Sequence, residues 1–407
     1  MKIQQDVRTL DRTNGRVHSL CSVCSSKDVF VFWEATGLPI FCNVLCASRD
    51  EARQIPRGDI QLAFCHRCGL ISNLAFEPKR LTYSADYENS LHFSPRFQKY
   101  ADELAARLVE RHALQNKVIL EIACGKGNFL RSLCRLGNNR GIGFDPSYEP
   151  AESDDDTIEH ITYIQDYYSE RYADHPADLI CCRHALEHMA DPLAFLRNLR
   201  RTIGTRTDTS VFFEVPNALY MLRELGIWDL IYEHCSYFVP QALSYLFRVS
   251  GFDVLDVTEG FDGQFLCLEA RPNGRIGETA QLDGGELGQV ASDVRSFADQ
   301  YEKKWETWRR RLDEMHRDGK RVVVWGAGSK GVTFLNVLRT KDLIQYVVDI
   351  NPRKHGKYIA GTGQRIVGSE FMKEYRPDVV ILMNAIYRRE VRASLAQLDV
   401  RAKLVVA

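Results

Sequence analysis

The amino-acid sequence predicts an α/β protein made of three consecutive parts. Between Lys117 and Arg271, short runs of β-branched residues alternate with helical patterns, as they do in a parallel sheet covered by helices. Two Cys-x-x-Cys pairs precede this part, and a second glycine-rich turn between a strand and a helix follows it. We therefore expect domains at residues 1–80, 81–275 and 276–407.

The composition excludes several classes of partner. The chain has 407 residues and a formal net charge of -1, which creates no field that favours nucleic acid or acidic membranes. No segment approaches the roughly 20 consecutive apolar residues of a membrane span, and the start lacks the apolar core of a signal peptide. We expect a cytoplasmic protein without nucleic-acid or membrane partners, whose cysteines are thiols or metal ligands.

Four cysteines near the N-terminus predict a structural zinc site. Cys21 and Cys24 form one pair, and Cys65 and Cys68 form the other. Two such pairs can place four thiolates around one tetrahedral Zn²⁺ at about 2.3 Å. A redox role is the alternative for either pair alone, but neither pair opens a helix after a strand. The spacing between the pairs exceeds that of a nucleic-acid-binding zinc finger.

Seven runs predict the strands of a central sheet. In chain order they are KVILEIA, GIGFD, TYIQD, DLICC, VFFEV, FDVLDV and QFLCLEA. Only the short segment TEGFDG separates the last two, which therefore predict an antiparallel hairpin at the edge of the sheet.

The first of these strands leads into a glycine loop. Gly125 and Gly127 would let the backbone approach a ligand closely before the next helix begins. The second strand ends at Asp145, where a carboxylate can accept both hydroxyl groups of an adenosine ribose. A generic NAD site is the alternative, but the loop lacks the GxGxxG spacing.

The pattern Glu121-x-x-x-Gly125-x-Gly127 resembles the first motif of class I S-adenosylmethionine-dependent methyltransferases. The resemblance implies S-adenosylmethionine as the cofactor, with this motif and Asp145 in contact with it. It also implies that Asp166, at the end of the third strand, meets the adenine amino group.

The segment His184-Ala-Leu-Glu-His188 matches two different patterns. Its H-x-x-E-H spacing is that of inverted zinc proteases, which need both histidines on one helix. Here His184 directly follows the fourth strand, so the segment is more similar to the methyltransferase loop that borders the cofactor. We expect His184 to be a neighbour of the cofactor.

The order of the parts resembles the sugar-nucleotide C-methyltransferases over nearly the whole chain. The similar features are the cysteine quartet, the class I core, Glu-Val-Pro after the fifth strand, the run EHCSYF from Glu233, and a smaller Rossmann-like C-terminal domain. The resemblance implies a nucleotide-linked 4-keto-deoxysugar as the small-molecule substrate. It implies His234 as the general base, with Glu233 as its partner, and Tyr87 and Tyr83 as candidate donors to an enolate oxygen.

The sequence departs from this family on the substrate side. Tyr232 stands where a second histidine is common, and Asp262-Gly263-Gln264 stands where a Gly-Gly-Ser turn is common. Three alternatives therefore stay open: an O-methyltransferase that uses His234, a non-catalytic nucleotide-binding protein, and a loop that Glu233 and His234 merely hold in place.

The C-terminal part begins with a long helix and a second glycine motif. Apolar residues recur at three- and four-residue steps from Val290 to Met315, which predicts one buried helix face. Gly326, Gly328 and Gly331 follow a strand, and Asp349 ends the next one. This loop is expected either to hold substrate phosphates or to be a structural duplicate.

Overall fold

The computed structural model describes residues 19–81, 87–149, 160–273, 284–340 and 343–407. Tyr83 and most of the predicted linker before the long helix lie outside these residues.

The N-terminal part contains a small antiparallel sheet. Its elements are β1 (Val29–Pro39), α1 (Arg49–Gln54), β2 (Arg57–Cys65) and β3 (Ile71–Asn73). Ser48 caps α1, since its hydroxyl accepts from Glu51 N and the Glu51 side chain accepts in return. Strand β2 pairs with both neighbours, and β3 pairs in addition with a short strand from the central domain.

The central domain alternates strands and helices as predicted. Its elements are α2 (Pro95–Arg111), β4 (Val118–Ile122), α3 (Asn128–Gly137), β5 (Arg140–Phe144), β6 (Ile161–Ile164), β7 (Leu179–Arg183), α4 (Pro192–Ile203), β8 (Ser210–Pro216), α5 (Ala218–Arg223), β9 (Ser236–Tyr237), α6 (Pro240–Val249), β10 (Phe252–Gly260) and β11 (Phe265–Pro272).

All seven predicted strands form one mixed sheet, which is the class I methyltransferase α/β arrangement. The order is β10-β11-β8-β7-β4-β5-β6, with parallel pairing from β8 to β6. The hairpin of β10 and β11 lies at one edge and runs antiparallel to β8, as expected. The carboxyl ends of the parallel strands therefore meet at one side of the sheet, where ligands of open α/β sheets bind.

The predicted helix face is buried. Helix α7 (Gly284–Arg317) packs against β1 and α5, so it contacts both preceding parts of the chain. Its buried face contains Val290, Val294, Phe297, Tyr301, Trp308 and Leu312. Trp33 of β1 meets Tyr301 with ring centres 5.2 Å apart. The apolar periodicity thus marks an interface between parts of the fold.

The C-terminal domain repeats the strand-helix alternation on a smaller scale. Its elements are β12 (Val322–Trp325), α8 (Ser329–Leu338), β13 (Ile344–Val348), β14 (Arg365–Val367), α9 (Met372–Tyr375), β15 (Val379–Leu382), α10 (Arg388–Gln397) and β16 (Lys403–Val406). The five strands are all parallel, in the order β14-β13-β12-β15-β16. Within the described residues, no helix is both long and apolar enough to cross a membrane.

Candidate active site

The glycine loop after β4 uses its two glycines differently. Gly125 has a φ of +55°, and a Cβ there would meet no heavy atom of the described residues within 4 Å. Gly127 has a φ of +73°, and a Cβ there would lie 2.3 Å from the Tyr163 hydroxyl. Gly125 therefore leaves open space that a ligand can use, whereas Gly127 leaves room for a packed tyrosine.

Asp145 holds this loop in place. Its Oδ2 accepts from Gly125 N at 2.9 Å, and its Oδ1 accepts from the backbone and hydroxyl of Ser147 at 2.8 and 2.6 Å. Asp166, at the end of β6, accepts from Tyr167 N at 2.8 Å and also contacts Arg171 and Tyr172. Both carboxylates thus stand at the carboxyl ends of adjacent strands, where the sequence predicts the adenosine to bind.

Beside the glycine loop lies a carboxyl group with an unsatisfied oxygen. Glu121 is 3% exposed, and its Oε2 has no hydrogen-bond partner among the described residues. Burial raises the pKa of Glu121 to about 8, against the opposing effect of Arg183. A cationic ligand group would be favoured next to this oxygen.

Glu214 at the end of β8 anchors the neighbouring strands. It is fully buried and accepts from Arg183 Nη2 at 3.0 Å and from the Tyr100 hydroxyl at 2.6 Å, while His184 Nε2 lies 2.6 Å from Oε1. Burial alone would raise the pKa of Glu214, but Arg183 and His184 hold it well below its ordinary value. The predicted cofactor neighbour His184 therefore lies next to the Glu214 carboxylate.

The two histidines of the H-x-x-E-H segment do not share a helix. His184 has a φ of +51°, and only a 3₁₀ turn, Leu186–His188, follows it. His188 Nδ1 lies 3.1 Å from the Glu233 carbonyl oxygen. The helical arrangement of a zinc protease is thus absent from this segment.

His234 lies in the loop before β9. Its ring centre is 4.8 Å from that of His188 and 5.7 Å from that of Tyr237. Burial, together with neighbouring histidines and Lys330, lowers the pKa of His234 well below its ordinary value. The ring is therefore neutral at physiological pH, with a lone pair available on one nitrogen.

Glu233 connects this loop to the N-terminal part. Its side chain is fully buried, and Oε2 accepts from Cys42 N at 2.8 Å. Burial raises the pKa of Glu233 to about 7, while hydrogen bonds from Cys42 and Tyr87 oppose the shift. The Tyr87 hydroxyl also accepts a hydrogen bond from Asn43 Nδ2 at 3.4 Å. Tyr232 is a packing residue, because its hydroxyl accepts from Glu77 N at 3.0 Å and its ring fills the space beside Gly58.

A cavity of about 290 Å³ joins His234 to the C-terminal domain. The cavity is lined in part by residues that were not predicted from the sequence, among them Tyr220 after β8 and Ser94 before α2. The lining also includes the C-terminal glycine loop and the side chains of Lys330, Asp349 and Lys354. Gly125 and Asp145 are not part of this lining.

The turn between β10 and β11 contacts the C-terminal domain at this cavity. Asn384 Nδ2 donates to Gln264 Oε1 at 2.8 Å, and both residues line the cavity. Gln264 belongs to the turn that departs from the family pattern, so this departure lies where a substrate would be held.

The C-terminal glycine loop is built like the first one. Asp349 Oδ2 accepts from Ala327 N at 2.7 Å, and Oδ1 accepts from Asn351 N at 2.8 Å. Lys354 is 5% exposed and donates to the Ala327 carbonyl at 3.2 Å. Among the described residues, no carboxylate lies within 4 Å of its ammonium group, whereas Lys330 is paired with Asp229.

The four predicted zinc ligands come together. The sulfur atoms of Cys21 and Cys68 are 3.5 Å apart, as are those of Cys24 and Cys65, and all four lie within 4.8 Å of one another. A tetrahedron with metal-sulfur distances of about 2.3 Å has edges of about 3.8 Å. The donor set and spacing therefore fit one Zn²⁺.

Two family models match separate parts of this chain. Residues 95–257 match a family model described as a methyltransferase domain, and residues 285–407 match one described as a C-methyltransferase C-terminal domain. The four cysteines lie outside both matched ranges.

One curated relative aligns with most of the chain. C-methyltransferase NovU of Streptomyces niveus is 25% identical over 386 residues, which are 91% of this chain and 90% of that protein. Ubiquinone biosynthesis O-methyltransferase of Actinobacillus pleuropneumoniae serotype 7 is 30% identical over 128 residues, which are 28% of this chain and 53% of that protein. The chain thus spans about half the length of the second relative.

Among solved structures, 1,6-didemethyltoxoflavin-N1-methyltransferase of Burkholderia thailandensis is similar with a TM-score of 0.34 and 16% identity, over 44% of this chain and 81% of that one.

Proposed function

The chain is an S-adenosylmethionine-dependent methyltransferase with the class I α/β fold, and from this premise we propose that it methylates a carbon atom of a nucleotide-linked 4-keto-deoxysugar. The match of residues 285–407 to a C-methyltransferase C-terminal domain and the similarity to NovU support transfer to carbon. Because the chain is a methyltransferase, the alternative of a non-catalytic nucleotide-binding protein is excluded.

The cavity is the observation that carries this proposal. Its wall combines His234 from the core with the glycine loop and Lys354 of the C-terminal domain. A nucleotide sugar has a neutral sugar at one end and a charged diphosphate and nucleoside at the other. It therefore suits a cavity that is lined both by a neutral imidazole and by a glycine loop of the kind that binds phosphates. The sugar would lie at His234, and the nucleotide would lie on the C-terminal domain.

Lys354 is the residue we expect to meet the diphosphate. Its ammonium group is buried, and it donates a hydrogen bond to the carbonyl oxygen of Ala327. A buried charge of this kind is unfavourable until an opposite charge arrives. A phosphate group beside the Gly326 to Gly331 loop would supply that charge.

His234 acts in this proposal as the base at the carbon next to the ketone. The carbon-hydrogen bond breaks, the proton passes to the imidazole nitrogen, and the electron pair forms an enolate. Because the pKa of His234 is lowered by burial, the imidazole alone is a weak base and the enolate oxygen needs a donor. Tyr220 lines the same cavity, and Tyr87 is hydrogen-bonded to Glu233, the neighbour of His234. These two tyrosines and Tyr83 are therefore the candidate donors to the enolate oxygen.

The cofactor would occupy the glycine loop of the core. Bound S-adenosylmethionine supplies an electrophilic methyl group. Glu121, Gly125, Asp145 and Asp166 bind it, with His184 beside it, while Gly127 keeps the loop in its observed path. Glu233 positions the His234 loop by its bond to Cys42, and Zn²⁺ on the four cysteines stabilises the sheet to which that loop is attached.

A panel of nucleotide 4-keto sugars tests the proposal. Each sugar is incubated with the protein and ¹³C-methyl-labelled S-adenosylmethionine, and NMR shows whether the labelled methyl is bonded to carbon or oxygen. The His316→Gln variant, which changes an exposed histidine at the end of α7, is the matched control for His234→Gln. A methyl on carbon supports the proposal, and a methyl on oxygen contradicts it.

O-methylation is the second candidate. It is favoured by the 30% identity between part of the core and an O-methyltransferase. In that case His234 would take the proton of a hydroxyl group, and the labelled methyl would be found on oxygen.

A further inference from the structure

The segment before α2, residues 87–94, connects the cavity to all three parts of the fold, and we call it the arm. Four of its residues line the cavity, namely Ser90, Leu91, Phe93 and Ser94. Two of its side chains, those of Glu88 and Ser94, contact the C-terminal domain. Ser94 Oγ donates to Glu390 Oε2 at 2.9 Å, which attaches the end of the arm next to α2.

Glu88 attaches the other end of the arm with a buried carboxylate. It is 5% exposed, and its Oε1 accepts from Ser90 N and from Asn351 Nδ2, both at 3.1 Å. Its Oε2 accepts from Arg353 Nη1 at 3.2 Å, but that arginine side chain is 44% exposed, so the ion pair contributes little. Asn351 is buried, and breaking a buried hydrogen bond to a carboxylate is costly. The bond to Asn351 is therefore the stronger attachment.

Asn351 belongs to the loop to which we assign the nucleotide. Its backbone N donates to Asp349 Oδ1 at 2.8 Å, and the other oxygen of Asp349 accepts from Ala327 N in the glycine loop. Asp349 and Asn351 both line the cavity, whereas Glu88 does not. Glu88 thus contacts the back of the nucleotide loop without reaching the space that a substrate would occupy.

Tyr87 and Glu88 have different partners because the backbone between them is paired. Tyr87 forms an antiparallel bridge with Val44, and Glu88 N donates to Asn43 O at 2.8 Å. Neighbouring side chains of an extended, paired segment point to opposite sides. Tyr87 is hydrogen-bonded to the Glu233 carboxylate, whereas Glu88 is bonded to the C-terminal domain.

We propose that Glu88 is a positioning residue, which through its bond to Asn351 fixes Tyr87 and Glu233, and thereby His234, relative to the nucleotide loop. This inference rests on the proposed function, in which the nucleotide lies at Asp349 and the sugar at His234. A substrate held at one end by the C-terminal domain presents its reacting carbon correctly only if the two sites keep a fixed separation. Glu88 touches no reactant and acts through Tyr87.

Kinetics of two Glu88 variants test this role. Glu88→Ala removes the acceptor, so the kcat for methylation is expected to fall roughly 10- to 100-fold, because small misplacements of reacting groups cost this much. Glu88→Gln keeps an oxygen that accepts from Asn351, and it should therefore keep most of the wild-type kcat. Asp256→Ala, which breaks another ion pair of 3.2 Å on β10, is the control and should behave like the wild type. Unchanged affinity for S-adenosylhomocysteine verifies that each variant is folded.

Asn351→Ser tests the same bond from the other side. Asn351 Oδ1 accepts from Arg353 N at 3.0 Å, and a serine hydroxyl can replace this cap but has no amide to donate to Glu88. The double variant Glu88→Ala/Asn351→Ser should lose no more kcat than Glu88→Ala alone, because both changes break one bond. Hydrogen exchange of the arm, measured by mass spectrometry without substrate, should be faster in both single variants than in the wild type or Glu88→Gln.

The outcomes separate this inference from the proposed function. The proposed function fails in the wild type, if the methyl group is found on oxygen. The role of Glu88 fails in the variants, whichever atom is methylated, if folded Glu88→Ala has the wild-type kcat and the wild-type exchange rate of the arm. Additive losses of kcat in the double variant overturn it as well, as does an equal loss in Glu88→Gln and Glu88→Ala, which would assign the effect to the charge.

Discussion

Asp145 and Asp349 make the same two kinds of backbone contact in two different sheets. Each follows the second strand of its domain, and one oxygen accepts from the glycine loop, at Gly125 N for Asp145 and at Ala327 N for Asp349. The other oxygen accepts from the amide two residues further on. The two domains thus present equivalent sites, of which we assign the first to the cofactor and the second to the nucleotide of the substrate.

Replacing these two aspartates is expected to affect different ligands. Asp145→Ala removes a charged acceptor and the bond to Gly125, so S-adenosylmethionine should bind roughly 10- to 100-fold more weakly. Asp349→Ala should leave cofactor binding unchanged and weaken binding of the nucleotide sugar. Calorimetric titration of each ligand into each folded variant measures both effects. Equal loss of cofactor affinity in the two variants would contradict the assignment.

Removal of Lys354 should weaken substrate binding. Lys354→Met keeps an apolar stem of similar length but loses the buried ammonium group, so the KM for the nucleotide sugar is expected to rise roughly 10- to 100-fold. The kcat should change less, because Lys354 is proposed to contact the diphosphate and not the reacting carbon. Lys373→Met, at an exposed lysine that pairs with Glu370, is the control. An unchanged KM in the Lys354 variant would place the phosphates elsewhere.

The cysteine quartet should hold one zinc ion per chain. Metal analysis of chelator-washed protein is expected to find one equivalent, since a closed four-thiolate site releases its ion reluctantly. Cys65→Ser should lose the ion and lower the melting temperature, because β2 ends at Cys65 and β3 begins shortly after Cys68. Cys134→Ser, at a buried thiol in α3, should keep the ion. Wild-type protein with reduced thiols but no metal would show this prediction to be wrong.

Glu121 should make stability depend on pH. The folded protein raises the pKa of Glu121 from 4.5 to about 8, so it binds this proton more tightly than the unfolded chain does. The contribution is fully present below the unfolded pKa and is lost as the pH rises through the folded pKa, at a cost of at most about 5 kcal/mol. Glu121→Gln should therefore be stabilised relative to the wild type at pH 8.

Denaturant unfolding at several pH values between 4.5 and 8 checks this expectation. Glu103→Gln, at a carboxyl group with 67% of its side chain exposed, should follow the wild-type pH dependence. If Glu121→Gln also follows it, the buried carboxyl group does not carry the effect.

The sequence predicted the central sheet because its signals are local. Parallel strands buried on both faces appear as continuous apolar runs, and the acid at each strand end marks the ligand-binding edge. Gly125 and Asp145 could therefore be found and placed together. The close packing of Tyr163 against Gly127 could not be predicted, because a glycine that accommodates a tyrosine looks the same in sequence as one that accommodates a ligand.

The contacts around His234 were beyond the sequence for the same reason. Glu233 bonds to Cys42, and β9 pairs with β3, although these partners are far apart in the chain. Lys354 and Tyr220 reach the cavity from two domains. No periodicity or spacing in the sequence predicts contacts between residues that are so far apart in the chain. Without the fold, the EHCSYF run shows only that His234 is present.

Hydrogen exchange at the substrate carbon tests the central claim most directly. With S-adenosylhomocysteine bound and the solvent replaced by D₂O, the wild type is expected to place one deuterium on the carbon beside the ketone of its nucleotide sugar, as measured by NMR. His234→Gln should exchange roughly 100- to 10,000-fold more slowly, with cofactor binding intact. Exchange at the wild-type rate in folded His234→Gln, or none in a wild type that methylates the same sugar, would contradict the assignment of His234 as the base of a carbon methyltransferase.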